Sequence, residues 1–234
     1  MPDLRRRSQT PEWMDGADVT VQDFAACVKD LAAVNTVTLA RGPTLQFVAD
    51  AVRHAKGIPT ILDVGFGAGD MLRAIARMLR SKGLAARLIG IDLNPRSEPV
   101  ARDMTPADLP IEWHTGDAYA WAEAERPDLI ISSLVTHHMD DAEIVRFCAW
   151  MEATARLGWF VNDLHRHAVP WYGFSAMAAL ARWHPFVRHD GPLSIARSFR
   201  RDEWLALLRQ AGIGQAATIQ WRFPFRYCVE RRKW

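Results

Sequence analysis

The stretch Thr60-Ile61-Leu62-Asp63-Val64-Gly65-Phe66-Gly67-Ala68-Gly69 decides the fold. A short apolar run rich in β-branched residues leads straight into Gly-x-Gly-x-Gly. A helical run follows at once, with Leu72, Ile75 and Leu79 on one face and Lys82-Gly83 closing it. Glycines at such a turn allow a sharp change of direction and let backbone amides approach a ligand closely.

Reading outward, the texture repeats. The run 87–93 (RLIGIDL) is a buried strand, and a helix is expected near 96–104 after Asn94-Pro95. Residues 111–117 (IEWHTGD) give a shorter strand and 127–134 (PDLIISSL) a fourth. Ile144, Cys148, Met151 and Ala155 then recur at helical spacing before a fifth strand at 158–164 (GWFVNDL). Alternation of this kind predicts a parallel sheet with helices on both faces. Residues 165–197 show weak periodicity. A helix at 200–212 with Trp204, Leu207, Leu208 and Ala211 on one face precedes two last strand runs, 217–223 and 226–232, joined at Pro224-Phe225. Residues 1–57 show no strand pattern. Phe24, Val28 and Leu31, and later Leu45, Val48 and Val52, predict a helical N-terminal cap within the same domain, with the main domain spanning 58–234.

Composition limits the function. The chain has 234 residues, 49% hydrophobic and 24% charged, which is a globular composition with ample core. No apolar run approaches the roughly 20 residues of a membrane span, and the N-terminus lacks the apolar stretch of a secretory signal, so a cytoplasmic protein is expected. With 29 basic and 27 acidic residues the net charge is +2. The arginines at 5–7 and the cations at 231–233 read as solvated termini, and no basic stripe points to nucleic acid. Cys27, Cys148 and Cys228 lie far apart and read as buried hydrophobes. Six of the eight His fall between 137 and 189, and seven of the ten Trp from 150 onward, a skew that asks for a location.

The glycine loop has acidic company. A dinucleotide fingerprint places its third glycine at the sixth position, where this chain has Asp70, an uncomfortable neighbour for a pyrophosphate. Asp63, two residues before the first glycine, offers a carboxylate to a cationic ligand. Asp92, at the tip of the second strand, is placed for ribose hydroxyls, and Asp117 in Gly116-Asp117-Ala118 for an adenine amino group. Each acid alone also serves as a helix cap or turn residue. Three at the ends of successive strands point to a nucleoside without phosphates.

With DVGFGAG (63–69), GIDLNP (90–95), GDA (116–118) and ISSLVTHHMDD (131–141), residues 58–231 resemble the class I S-adenosylmethionine-dependent methyltransferases, similar to small bacterial ubiquinone/menaquinone-biosynthesis enzymes. The resemblance implies an α/β, seven-stranded Rossmann-like methyltransferase fold, mostly parallel, with an antiparallel closing hairpin. It implies S-adenosyl-L-methionine as cofactor and S-adenosyl-L-homocysteine as product. Gly65, Gly67 and Gly69 would line the methionine, Asp92 with Leu93 the ribose, and Asp117 with Ala118 the adenine. Ser133 and Leu134 would contact the cofactor through backbone. Phe66 stands where many members have a small residue or Cys.

The acceptor site is expected beyond strands four and five, under the N-terminal cap. His137 is the leading general base, with His138 and His165 as further catalytic candidates, since imidazole titrates near working pH. His167, Trp171, Tyr172 and Phe174 are expected to bind substrate, aromatics suiting a flat acceptor. Asn162-Asp163 offers half of a hard-cation set and His165-x-His167 lacks a third ligand, so no metal is expected. The expected reaction is methylation of a small aromatic, phenolic, quinol or polyketide-like acceptor, on oxygen rather than carbon. A non-catalytic binding module and an NAD(P)-dependent oxidoreductase are the alternatives.

Overall fold

A computed structural model describes residues 3–16 and 18–234. Seven strands form one sheet: β1 (Thr60–Val64), β2 (Arg87–Asp92), β3 (Ile111–Thr115), β4 (Leu129–Ser133), β5 (Gly158–Leu164), β6 (Thr218–Arg222) and β7 (Arg226–Arg232). Their order is β3-β2-β1-β4-β5-β7-β6. The first five run parallel, and β7 is antiparallel to β5 and β6. The expected hairpin therefore closes the sheet, inserted so that its second strand meets β5. Strand order reverses at β1, which pairs with both β2 and β4, and the crevice at that reversal is where open α/β sheets bind ligands.

Period-two alternation explains the two layers. Leu62, Ile89 and Ile130 face one core with α6 (Asp141–Thr154) and α9 (Arg201–Gln210). Ile61, Leu88, Leu129 and Ile131 face the other, with α2 (Gly42–His54) and α3 (Asp70–Ser81). The anticipated stripe Leu72, Ile75 and Leu79 is buried, as are Ile144, Cys148 and Met151. Asp140 and Glu143 start α6 with a reciprocal capping box. The three cysteines are free and buried.

The other α-helices are α1 (Val21–Val37), α4 (Ser97–Asp103) and α5 (Ala118–Ala124), of which α4 adds Ala101 to the second core and α5 adds Ala118 to the first, and α7 (Ala168–Leu180) and α8 (Pro185–Arg197). The last two occupy the segment that lacks periodicity. α7 is apolar on nearly every side and buries only Ala178, and α8 holds Pro192 in its interior, so neither shows a polar-apolar rhythm.

One expectation about charge fails. Arg7 is no solvated terminal residue. Its guanidinium stacks 3.7 Å above the Phe199 ring, donates to the carbonyls of Arg197 and Met139 at 2.7 Å each, and pairs with Asp141 at 2.8 Å. Residues 3–16 are thereby laid across α8. Arg166, fully buried, ties the same segment down by donating to the carbonyls of Leu4 and Ser198 and pairing with Glu203. Arg166→Ala leaves the Ser198 carbonyl and Glu203 Oε1 without that donor, while Leu4 and Glu203 Oε2 keep Arg200, and the loss of this partly buried ion pair should cost about 2–3 kcal/mol. Urea unfolding should show a lower midpoint at unchanged slope.

Candidate active site

The crevice at the reversal is a cavity of about 450 Å³ at the carboxyl ends of the parallel strands. Its floor is the glycine loop. Gly65, Gly67 and Gly69 all have positive φ (75°, 56° and 75°), the conformation glycine tolerates best. A Cβ on Gly65 would lie 2.5 Å from Val135, and one on Gly69 would lie 2.3 Å from the Trp113 ring. A Cβ on Gly67 would meet nothing within 4 Å. Two glycines are thus required by protein packing, while the middle one faces open space.

Asp92 braces this loop. Its Oδ2 accepts the Gly67 N–H and its Oδ1 the Asn94 N–H, both at 2.8 Å. Burial raises its pKa, and those two hydrogen bonds oppose the rise without cancelling it. Asp117 caps α5 by accepting the Tyr119 N–H at 2.8 Å. Both acids also line the cavity with Leu93, Ala118, Ser133 and Leu134. Cap and ligand roles are therefore compatible, since each carboxylate oxygen has a second lone pair. Asp63 lies deeper. Burial, then the charges of Asp70 and Asp92, push its pKa well above the ordinary value. Leu134, a non-glycine at φ 60°, is held by its N–H to the Asn162 carbonyl at 2.9 Å.

The expected histidines separate. His138 lines the cavity with Met139 and with Met14 and Asp15 of the N-terminal segment. His137 does not; it is 3% exposed and wedged behind its neighbour, ring centroids 4.3 Å apart. Its Nδ1 pairs with Asp163 Oδ1 at 2.8 Å, and its N–H donates to Asp163 Oδ2 at 2.9 Å. Burial would raise Asp163, but the His137 charge and hydrogen bond and the Thr136 hydroxyl bring it down to about 2.

Glu12 joins this cluster from 125 positions away in sequence. It is buried, accepts the Ser194 hydroxyl at 2.8 Å, and lies 3.6 Å from His137 Nε2 and 3.8 Å from His138 Nε2. His138 Nδ1 meets Asp15 at 3.0 Å. Burial works against both charges, yet the hydrogen bond and mutual attraction prevail: Asp15 stays below its ordinary value and His138 above its own. Glu12, His137 and His138 bring ligand atoms within 4.8 Å of one another, the spacing of a metal site. Arg197 Nε, 3.9 Å from Glu12, already supplies positive charge there.

The other acceptor-side expectations lie outside the cavity lining. His165 packs against Tyr227 and His167, burial lowering its pKa to about 4. His167 caps α7 through the Val169 N–H at 3.2 Å. Trp171 and Tyr172 pack on each other, and Tyr172 is exposed. Phe174 packs on Trp183 and joins Cys27, Val34 and Val187 beneath α1. Residues missed from sequence line the cavity instead: Met14, Asp15, Phe24, Val28, Leu31 and Asn35, from the N-terminal segment and α1. Only the helical stripe Phe24, Val28 and Leu31 signalled that face.

Residues 61–158 match a family model described as a methyltransferase domain. That match covers β1 to the start of β5, the part of the chain that carries the glycine loop. No curated protein matches the chain. Among solved structures, its fold is similar to that of a candidate O-methyltransferase from Nostoc punctiforme PCC 73102, with 15% identity and TM-score 0.55 over 87% of this chain and 59% of that one. It is similar to the magnesium protoporphyrin IX methyltransferase ChlM of Synechocystis PCC 6803 bound to S-adenosylhomocysteine, with 17% identity and TM-score 0.52 over 92% and 88%. Human N-acetylserotonin methyltransferase with S-adenosylmethionine gives 16% identity and TM-score 0.51 over 86% and 58%. The chain spans about three fifths of the Nostoc and human proteins. The Synechocystis structure holds S-adenosylhomocysteine and the human one S-adenosylmethionine, and the cavity of this chain suits a ligand of that kind. An open glycine edge and an acidic lining without phosphate-binding cations fit a cationic nucleoside.

Gly67→Ala should leave the packing intact, at a backbone cost of about 1–2 kcal/mol. It should weaken S-adenosylhomocysteine binding at least ~10-fold by calorimetry, since the new Cβ enters the open loop edge. Gly69→Ala should instead unfold at markedly lower temperature, having no room beside Trp113. Asp163 has a lowered folded pKa, so its stabilisation is present above about pH 4 and is lost as pH falls toward 2. Asp163→Asn should cost about 3 kcal/mol at neutral pH. It should also flatten stability against pH below 4 in acid titrations followed by circular dichroism.

Proposed function

We propose that this protein transfers the methyl group of S-adenosylmethionine to a hydroxyl of a small phenolic, quinol or polyketide-like acceptor, with His138 as general base. The observation that carries the reading is one cavity whose lining combines the glycine loop and the carboxylates of Asp92 and Asp117 with His138 and the apolar side chains of Met14, Met139, Phe24 and Val28. S-adenosylmethionine, when bound, supplies an electrophilic methyl on a sulfonium. The chain's residues must orient the acceptor, exclude water and take its proton.

Asp15 holds His138 by Nδ1, and Nε2, which makes no hydrogen bond and lies 3.8 Å from Glu12, is the nitrogen we assign to the acceptor hydroxyl. Asp163 and Glu12 hold His137 on either side, so His137 acts as the support for His138 rather than the base. The apolar wall from α1 suits a flat ring and keeps water from the reacting oxygen. The human structure similar in fold is named for N-acetylserotonin, a small aromatic, which accords with this reading.

The test is transfer of radiolabelled methyl to a panel of phenols, quinols and polyketide phenols. His138→Gln should lose ~10²–10⁴-fold in kcat while binding S-adenosylhomocysteine normally. The base must be neutral to act and His138 is raised, so activity should rise with pH through a value above the ordinary imidazole range. Asp15→Asn removes one of the two carboxylates that raise it, the other being Glu12, so that limb should move to lower pH. Full activity in His138→Gln removes His138 as base. Cofactor binding with no transfer to any hydroxyl acceptor favours the non-catalytic module.

A further inference from the structure

Among the described residues, one set of histidine and carboxylate side chains converges closely enough to share an ion: Glu12, His137 and His138. Each of the three is held from behind by a different partner. His137 Nδ1 meets Asp163 Oδ1 at 2.8 Å, His138 Nδ1 meets Asp15 Oδ2 at 3.0 Å, and Glu12 Oε1 accepts the Ser194 hydroxyl at 2.8 Å.

These partners fix which nitrogen of each ring is available. An ionised carboxylate only accepts hydrogen bonds, so each imidazole carries its proton on Nδ1. In the neutral ring the lone pair then lies on Nε2. Both Nε2 atoms are turned to the same carboxylate, His137 Nε2 at 3.6 Å from Glu12 Oε1 and His138 Nε2 at 3.8 Å from Glu12 Oε2. Both separations are too long for hydrogen bonds. Two lone pairs and a carboxylate that face one another are drawn together by a shared cation.

The charges agree. Glu12, Asp15 and Asp163 bring three negative charges to the cluster. Two guanidinium groups face them. Arg197 Nε lies 3.9 Å from Glu12, while the same side chain donates to the carbonyls of Thr10, His137 and His138. Arg226 acts on Asp163. With both rings neutral the cluster is one positive charge short.

Two imidazoles and a carboxylate are a donor set that zinc takes with a fourth position left open. Imidazoles braced at the other nitrogen by a carboxylate are the usual support of such ligands. Around a tetrahedral zinc the ligand atoms stand about 3.3 Å apart, within a side-chain adjustment of the distances above. Magnesium and calcium, which prefer oxygen, suit the set poorly. Asn162-Asp163 and His165-x-His167 supply none of these ligands, Asp163 serving only behind His137.

We propose that Glu12, His137 and His138 bind a divalent transition ion of the zinc type through the Glu12 carboxylate and the two Nε2 atoms. His138 and Asp15 line the cavity whereas His137 and Glu12 lie behind them, so the open position of the ion faces the cavity. The consequence for catalysis rests on the reading of His138 as base. A ligating Nε2 has no lone pair for the acceptor proton, so the ion switches transfer off, and the pH dependence set out above is that of the ion-free protein.

Calorimetric titration of the chelator-treated full chain with zinc chloride tests the site without any acceptor. One ion should bind per chain with a Kd of about 1 μM or below, and magnesium should not compete. Cobalt(II) in its place should give the strong visible absorption of a four-coordinate ion. Asp15→Asn should weaken zinc ~10–100-fold and Glu12→Gln by more than that, with the circular dichroism of both unchanged. Absence of one-to-one binding by the wild-type chain overturns the inference. So does wild-type affinity in a folded Glu12→Gln, which places the ion elsewhere. With an acceptor that the protein methylates, saturating zinc should abolish transfer and a chelator should restore it. Zinc bound at these residues with transfer undiminished upholds the site and overturns His138 as the base.

Discussion

The paired histidines beside the cavity depend on one ionised carboxylate, that of Asp163. It sits at the end of β5 with no access to solvent, where burial alone would neutralise it. It remains charged because the turn after β4 is wound around it, Thr136 and His137 donating from both side chain and backbone. That winding sets the orientation of the His137 ring. With Nδ1 on Asp163, Nε2 is turned toward Glu12, and Glu12 belongs to a segment that could otherwise lie anywhere on the surface. Asp190 completes the attachment by accepting the Trp13 and Met14 N–H groups at 2.9 Å each. One strand-end acid thus organises the β4 turn, and through it the N-terminal segment and the position of His138.

The cofactor end is governed by a different constraint, close approach. Trp113 from β3 fills the space over Gly69 and Gly90, and Val135 fills that over Gly65, so the loop is pressed flat from within the protein. Asp92 then pins Gly67 from the second strand. The loop is rigid before any ligand arrives, which is what preorganised binding requires. The two ends meet at Ser133-Leu134-Val135, where Leu134 adopts a left-handed conformation and Val135 touches the glycine loop. A change at this junction would be felt on both sides.

Much of this was legible in the sequence because it is local. Strand, glycine turn and helix lie within consecutive residues, and the acids at 63, 92 and 117 announce themselves by position relative to strand ends. The seven strands and the closing hairpin follow from alternation alone. What could not be read are the long-range partners. Nothing near Glu12 or Asp15 distinguishes them from solvated acids, because their meaning lies in His137 and His138, more than 120 residues away. Arg226 looks like a strand-end cation until the register of β7 against β5 is known. Which of the adjacent rings of His137 and His138 lines the cavity is a distinction that spacing cannot make across a single turn of 3₁₀ helix.

The concentration of rings beyond residue 150 has a structural explanation different from a substrate lining. Trp13 stacks on His189 at 3.6 Å and meets Phe186 edge-on, and Phe174 and Trp183 pack under α1 with Val187. Phe174 belongs to α7, Phe186 and His189 to α8 and Trp183 to the turn between them, and what they grip is the N-terminal segment, through Trp13, and α1, the two pieces that roof the cavity. Large flat side chains suit that task, since each covers a wide area with few rotatable bonds. A roof fixed by aromatic packing on one face and by Asp190, Arg197 and Arg7 at its edges presents α1's smaller apolar residues inward. The cavity wall is therefore made of Phe24, Val28 and Leu31 rather than the tryptophans, and the rings behind that wall hold it in place.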